Sequence, residues 1–303
     1  MREAWPSGCA TCVILNPTAG RIRRRPGLEG RLLELPDAAL RRTRGPGDAA
    51  RLAREAAVTG CELLVVVGGD GTVHEAVNGL PEATPAPRLG LVPAGTGNDF
   101  ARALGVPAEP EAALEILRGG GVRRVDLVRA RAGGGERRVV NSAIGGFGGR
   151  IARHVTQARK RRWRGMVYLR AAIEELRTAA PHEVALTLDG EELPTSPHLA
   201  VVVANGPRLG GGIPVAPDAT VDDGLLDVLA LRGESRAVLS GLLARALAGR
   251  HIRSPNVVSR RVRRAAVRAR PAMSFNADGQ PLGRGDAAFE VLPRALSVIA
   301  PPT

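Results

Sequence analysis

Residues 63–79 read Leu-Leu-Val-Val-Val-Gly-Gly-Asp-Gly-Thr-Val-His-Glu-Ala-Val-Asn-Gly, and no other stretch limits the folds open to this chain as strongly. Leu63 to Val67 is a short, β-branched apolar run of the kind that makes a strand buried on both faces. It ends in Gly68-Gly69-Asp70-Gly71-Thr72. From Thr72 the period changes: Val73, Ala76, Val77 and Leu80 follow helical spacing, with Gly79 weakening the last turn. A strand, a glycine turn and a helix start make a phosphate-binding geometry, because glycine permits close backbone approach and the helix N-terminus presents N–H groups to an anion. Asp70 puts a carboxylate where phosphates would gather, which makes sense with a cation such as Mg²⁺ between the two charges.

The same arrangement occurs again downstream. Leu89 to Val92 is a short strand closed by Pro93-Ala94-Gly95-Thr96-Gly97-Asn98-Asp99-Phe100. Asp99 could simply cap a helix from Phe100 to Leu104, but a second Gly-Thr-Gly turn on a second strand end favours a shared phosphate site. Upstream, Thr11 to Leu15 is a first strand, followed by Asn16-Pro17-Thr18-Ala19-Gly20 and then Arg21, Arg23, Arg24 and Arg25. That turn is either an ordinary strand end or a ligand loop, since open α/β sheets bind ligands at the carboxyl ends of their strands. Residues 28–35 read as helix and Ala38 to Thr43 as strand. Asp48 to Thr59 reads as a helix with Asp48 as N-cap, Ala49, Leu52, Ala53, Ala56 and Ala57 on one face, and Gly60 at its end. Strands alternating with helices predict a parallel α/β domain over 1–121.

Past Gly119-Gly120-Gly121 the texture becomes antiparallel. Val122 to Ala130 and Arg137 to Ala143 alternate apolar and polar residues, and strand-like runs recur at 183–189, 198–204, 225–231, 257–269 and 287–293. Gly145-Gly146-Phe147-Gly148-Gly149 reads as a loop and fails the dinucleotide spacing. Helices are expected at Arg150 to Gln157, Met166 to Arg177 and Ser235 to Ala248. Val258 to Val267 is Arg-rich and alternating, which predicts one cationic face. These features assign 122–293 to a mostly antiparallel second domain, with 294–303 able to return to the first.

Composition narrows the partners. The 303 residues are 44% hydrophobic but only 2% aromatic, so the core must be Val, Leu, Ile and Ala. The formal net charge of +13 reflects either an arginine-rich solvated surface or attraction to something anionic: nucleotide, acidic membrane lipid or nucleic acid. So few aromatics leave little for base stacking, which counts against single-stranded nucleic acid, and a nucleic-acid partner resting on charge alone is the weakest reading. Lys160-Arg161-Arg162-Trp163-Arg164 is a solvated face or a headgroup contact. Cys9-x-x-Cys12 and Cys61 lack a second metal-spaced pair, which speaks against zinc, and three cysteines in all fit a reducing compartment. No signal pattern opens the chain and no apolar run approaches the ~18 residues of a membrane span. The expectation is a cytoplasmic protein whose membrane contact is peripheral. An exposed strand edge would support a homodimer.

Gly68-Gly69-Asp70-Gly71-Thr72 with Glu75 and Asn78-Gly79, Gly95-Thr96-Gly97-Asn98-Asp99, and Asn276-Ala277-Asp278-Gly279 together resemble the soluble bacterial diacylglycerol kinases. That group includes the sphingosine kinases and, more distantly, the NAD kinases. The resemblance runs from about residue 11 to 300. Gly-Gly-Asp-Gly-Thr alone would admit NAD kinases and some phosphofructokinases. The extension to Asn78-Gly79-Leu80 and the Gly-Thr-Gly-Asn-Asp turn are specific for the lipid kinases.

The resemblance implies an NAD-kinase-like α/β domain, a C-terminal β-sandwich and an active site in the cleft between them. It implies ATP and Mg²⁺ as cofactors and a lipid hydroxyl at an anionic membrane surface as acceptor, diacylglycerol giving phosphatidic acid. It assigns nucleotide contact to Asn16, Pro17, Thr18, Ala19, Gly20, Thr43, Gly68, Gly69, Asp70, Gly71, Thr72, Val73, His74, Glu75, Gly95, Thr96, Asn98 and Asp99. Asp278 would accept the hydroxyl proton. Gln280 stands where many members carry the Glu assigned as proton acceptor. Thr220, Asp223 and Leu225 match a second-domain Mg²⁺ site of one carboxylate flanked by backbone carbonyls, or else form a plain Asp-Gly turn. His74, where Asn is common, is expected on the helix surface; His154, His182, His198 and His251 receive no role. A kinase of a sphingoid base or of a soluble acceptor such as NAD, and a non-catalytic nucleotide- or lipid-binding module, remain as alternatives.

Overall fold

The structure, a computed structural model, describes residues 5–6, 8–20, 22, 25–82, 86–146, 180–233 and 254–302. The expected helices at Arg150 to Gln157, Met166 to Arg177 and Ser235 to Ala248 lie outside the described residues, as do the Lys160–Arg164 segment, Arg21, Arg23, Arg24, His154 and His251. The chain forms two compact units, Met1–Val125 with Arg294–Thr303, and Asp126–Pro293.

The first unit alternates β1 (Thr11–Leu15), α1 (Leu28–Leu33), β2 (Ala38–Arg42), α2 (Asp48–Val58), β3 (Leu63–Gly68), α3 (Asp70–Gly79), β4 (Arg88–Pro93), α4 (Asp99–Ala103) and α5 (Pro110–Gly119). The strands are parallel in the order β2-β1-β3-β4. Every residue of β1 is buried, as are Leu64 to Gly68 of β3 and Leu89 to Pro93 of β4. Continuous apolar runs without alternation are what a parallel sheet covered on both faces requires.

Two local expectations change. Gly47, not Asp48, occupies the N-cap of α2, with φ +81°. Asp48 is the first helical residue, and its carboxylate accepts the Arg44 N–H (2.9 Å) and the Arg51 Nε–H (2.8 Å). The carboxylate therefore ties the loop before the helix to the Arg51 side chain one turn on. Gly79 does more than weaken a turn: a Cβ there would sit 2.0 Å from the Ala50 carbonyl oxygen. Glycine lets α3 lie directly on the backbone of α2.

The described strands of the second part of the chain are β5 (Gly121–Ala132), β6 (Gly135–Val139), β7 (Ser142–Gly146), β8 (His182–Leu188), β9 (Glu191–Glu192), β10 (Ser196–Ala204), β11 (Arg208–Leu209), β12 (Ile213–Pro214), β13 (Leu226–Arg232), β14 (Val257–Val262), β15 (Arg264–Arg270), β16 (Ser274–Ala277), β17 (Gln280–Arg284) and β18 (Ala287–Ala300). In the second unit their pairings are antiparallel: β17-β16-β7-β10-β8-β15-β18 in one path, with β13 on β10 and β14 on β13. Their inward residues, among them Val128, Val201, Val228 and Phe289, form a hydrophobic core. Phe275 and Phe289 meet within it at 5.7 Å between ring centroids. The last residues of β18 run parallel to β4, with Val298 opposite Leu89 in the first unit.

Three sequence expectations for this part are corrected. Residues 137–143 are not one strand but the end of β6 and the start of β7, broken at Val140-Asn141. Residues 257–269 are likewise two strands, β14 and β15, broken at Arg263, where the Arg263 and Arg264 N–H groups both turn to the Asp189 carboxylate. Gly145 and Gly146 belong to β7 instead of a loop. In both broken strands a carboxylate from a distant turn gathers the backbone donors that the ladder gives up. The Arg-rich face of β14 and β15 is also not simply cationic. Arg261 and Arg264, with Arg268 and Arg270 beyond, each pair with a carboxylate.

Candidate active site

The first unit brings its four strand ends together at one edge of the sheet. Asn16 N–H donates to the Val67 carbonyl (2.9 Å) and Thr43 N–H to the Leu15 carbonyl (2.9 Å), so the turns after β1 and β2 continue the sheet. Asn16 Nδ2–H donates to Thr72 Oγ1 (2.9 Å). Its own Oδ1 accepts the Thr18 N–H (3.0 Å) and Thr18 hydroxyl (2.8 Å), fixing the Asn16–Gly20 loop against the start of α3.

The turns after β3 and β4 touch backbone to backbone. Parallel pairing sets Gly68 opposite Pro93, and Ala94 N–H donates to the Gly68 carbonyl (2.8 Å). A Cβ on Gly95 would lie 2.5 Å from Gly69 Cα, and one on Gly68 would lie 2.7 Å from Thr72 Cβ. Helix α3 starts directly from the strand at Asp70, with no side chain capping it from Gly69. A helix start without its own cap leaves orphan N–H groups to be met by water or by a ligand, and anions suit that place.

Asp70 acts on the neighbouring turn. Its Oδ2 accepts the Asn98 N–H (2.7 Å) and its Oδ1 the Phe100 N–H (3.3 Å). Asn98, at φ +57°, takes the N-cap position of α4, and its side chain bonds both ways with Gly95. Asp99 is thus not the cap but the first residue of α4, and it is buried. Thr96 and Thr18 are exposed and Glu75 is half-buried. The structure therefore gathers Asn16–Gly20, Thr43, Gly68–Glu75 and Gly95–Asp99 at the strand ends of one unit.

His74 departs from expectation. It is 3% exposed, on the inner side of α3, with Asn78 Nδ2 at 3.4 Å from its Nε2. The 3.6-residue period hid this because the helix is covered on more than its apolar stripe: Thr72, Val73, His74, Ala76 and Val77 are all buried.

In the second unit, Asp278 and Gly279 form the two-residue turn between β16 and β17, with φ +46° and +79°. Positive φ at both positions is the hairpin turn that Asp-Gly favours. The Asp278 carboxylate folds back onto the break between β6 and β7. Oδ2 accepts the Val140 N–H (2.8 Å), and Oδ1 accepts those of Asn141 (3.0 Å) and Ser142 (3.0 Å). Asp278 N–H donates to the Ser142 carbonyl (2.9 Å). Three backbone donors thus fix this carboxylate in place. Gln280 begins β17 and pairs with Ala277.

The turn before β13 is organised from several directions. Thr220 Oγ1–H (2.8 Å) and the Arg261 guanidinium donate to Asp223 Oδ2, and Leu225 N–H donates to Oδ1 (2.9 Å). Gly224 N–H donates to Asp126 Oδ2 (2.6 Å), a carboxylate that is fully buried. Asp227 is pushed up to about 6, first by burial and then by Asp223 and Asp218, against the pull of Arg261. Arg261 and Asp126 escaped the sequence reading. Asp126 left one signal, a lone acid inside the apolar Val125–Val128 run. Among the other histidines, burial pushes His198 down, and its Nδ1 lies 2.8 Å from the Ser196 carbonyl.

Both carboxylates offered for a metal already accept hydrogen bonds from the protein. Asp70 directs both oxygens at backbone N–H groups, and Asp223 directs both at Thr220, Leu225 and Arg261. Among the described residues no group of three His, Cys, Asp or Glu side chains converges.

Comparison with known proteins gives these features a family. Residues 10–130 match the diacylglycerol kinase catalytic domain, and residues 141–300 match the YegS C-terminal NAD kinase β-sandwich-like domain. The chain is 31% identical over 294 residues to a diacylglycerol kinase of Bacillus subtilis, covering 95% of each. It is 35% identical over 266 residues to a YegS-like lipid kinase of Pseudomonas aeruginosa, covering 87% of this chain and 84% of that one. A crystal structure of a diacylglycerol kinase from Bacillus anthracis covers 100% of this chain and 98% of its own, with a TM-score of 0.79 at 25% identity. At the level of fold alone, an NAD kinase from Archaeoglobus fulgidus in complex with ATP reaches a TM-score of 0.54 at 17% identity, covering 95% and 93% of the two chains. The fold class is that of the kinases that join an NAD-kinase-like α/β domain to an antiparallel β-sandwich. Within it, the chain belongs to the diacylglycerol kinase catalytic-domain family, alongside the YegS-like lipid kinases.

Proposed function

We propose that this protein transfers the γ-phosphoryl group of ATP to a lipid hydroxyl, with diacylglycerol as acceptor and phosphatidic acid as product. The observation that carries the reading is the pair of glycine turns held backbone to backbone beside an uncapped helix start. Phosphoryl transfer asks little covalent chemistry of a protein; it asks for positioning and for charge stabilisation. The α3 start supplies oriented N–H dipoles, and Asn16, Thr18 and Thr96 supply side-chain polar groups at the same edge. Asp70 serves by fixing the second turn against the first. Magnesium bound with the nucleotide would screen the phosphate charge.

On the acceptor side, Asp278 is the carboxylate that would align the lipid hydroxyl. Its rigid seat suits alignment more than proton shuttling, and the Gln280 amide two residues on cannot take up a proton. The net charge of +13 favours contact with an anionic bilayer. The test is radiolabelled ATP with diacylglycerol in mixed micelles, run beside a sphingoid base and NAD. Labelled phosphatidic acid is the expected product. Labelling of NAD without detergent, or ATP binding with no labelled lipid, would overturn the reading.

A further inference from the structure

The Asp218–Leu225 turn resembles a divalent-cation site in sequence, yet its donors face an arginine. Strands β13 and β14 pair in unbroken register from Leu226 opposite Val262 to Leu231 opposite Val257, which sets Arg261 directly across from Asp227. A one-residue slip would turn every side chain of β14 to the other face, so this position is set by the whole ladder. From there the guanidinium bonds Asp223 Oδ2 and keeps its Nε 3.8 Å from Asp227 Oδ2. One cation thereby bridges two carboxylates.

The side chains around Asp223 are already committed to that arrangement. Mg²⁺ and Ca²⁺ take six or more oxygen ligands. At Asp223 the Thr220 hydroxyl spends its proton on the carboxylate, and Leu225 turns an N–H toward it. Asp126, which could have been a second ligand, is committed to the Gly224 N–H. A dication at Asp223 would also stand beside a guanidinium and be repelled by it.

We propose that Arg261 is the built-in cation of this turn, and that the second unit holds its Asp223 turn without a divalent ion. The experiment uses the full-length chain without nucleotide, as wild type, Arg261→Ala, Arg261→Gln and the double variant Arg261→Ala/Asp223→Asn. Each is melted in chelator and in millimolar Mg²⁺ or Ca²⁺, and each is titrated with Ca²⁺ by calorimetry. Wild type should melt at the same temperature in all three conditions and bind no Ca²⁺ saturably. Arg261→Ala or Arg261→Gln, whichever melts cooperatively in chelator, should gain a saturable site and a melting temperature raised by roughly 5 °C in excess cation. The double variant should lose both gains. Saturable binding of Ca²⁺ to wild type, or a wild-type melting temperature raised by either cation, would overturn the proposal. So would single variants that fold and gain no cation response.

Discussion

Replacing Asp278 by alanine separates the structural from the chemical use of this carboxylate. The substitution removes the acceptor of three N–H groups at 2.8, 3.0 and 3.0 Å. Val140, Asn141 and Ser142 are 1%, 7% and 5% exposed, so water cannot readily replace the lost oxygens. Hydrogen bonds to a charged acceptor contribute about 1.5–3 kcal/mol each, but bonds that share one carboxylate do not add fully. The expected loss is about 3–5 kcal/mol. For a domain of this size each kcal/mol moves the midpoint by about 2–4 °C, so the second unit should melt roughly 10 °C lower. Asp278→Asn keeps one acceptor oxygen but aims an NH₂ at a backbone donor, so it should not recover the wild-type midpoint. Scanning calorimetry reads the stability, and the mixed-micelle assay at a temperature where all variants are folded reads the chemistry. An alanine variant that melts with the wild type would refute the staple, whatever its activity. Wild-type activity in a folded alanine variant would refute the alignment of the lipid hydroxyl by Asp278.

Other consequences can be checked separately. Gln280→Glu supplies a proton acceptor beside Asp278 and should raise kcat by about 10²-fold if the acceptor hydroxyl is deprotonated there; an unchanged rate would mean that base catalysis is not limiting. Gly79→Ala should destabilise the first unit by several kcal/mol despite a helix-propensity gain of about 1 kcal/mol, because the new methyl meets the Ala50 carbonyl at 2.0 Å; a higher melting temperature would contradict the α2–α3 packing. Asp227, raised to about 6, binds its proton more tightly folded than unfolded. Its contribution to stability therefore falls as pH rises from about 4 to 6, by at most about 3 kcal/mol. Asp227→Asn should flatten that part of the stability profile, and a variant with the wild-type slope would show that the group is not perturbed.

The first unit was legible from sequence because its decisive interactions are short-range. A β-branched run followed by Gly-Gly-Asp-Gly-Thr specifies strand, turn and helix within fifteen residues, and the repeat at Gly95 marks the neighbouring strand end. Cap details were less legible. Gly47 and Asn98 hold the cap positions because their positive φ sets the entry into the helix, whereas sequence alone favours the nearby acids.

The second unit hid more. The break at Val140-Asn141 depends on a hairpin turn more than 130 residues later, and no local period records it. Arg261 reads as one more surface arginine until the β13–β14 register sets it opposite Asp227. His74 looked exposed because a helical wheel counts one covered face, and α3 is packed on a wider arc. Long-range pairing decides all three, and pairing is what a single sequence encodes least directly.

The approach of Gly69 to Gly95 has a genetic consequence. An overlap with a side chain can be relieved elsewhere by shortening that side chain. A methyl on Gly95 would meet the α-carbon of another glycine, which has nothing left to trim. Selection for restored function after Gly95→Ala should therefore return glycine at position 95 itself, and suppressors at position 69 should be missing.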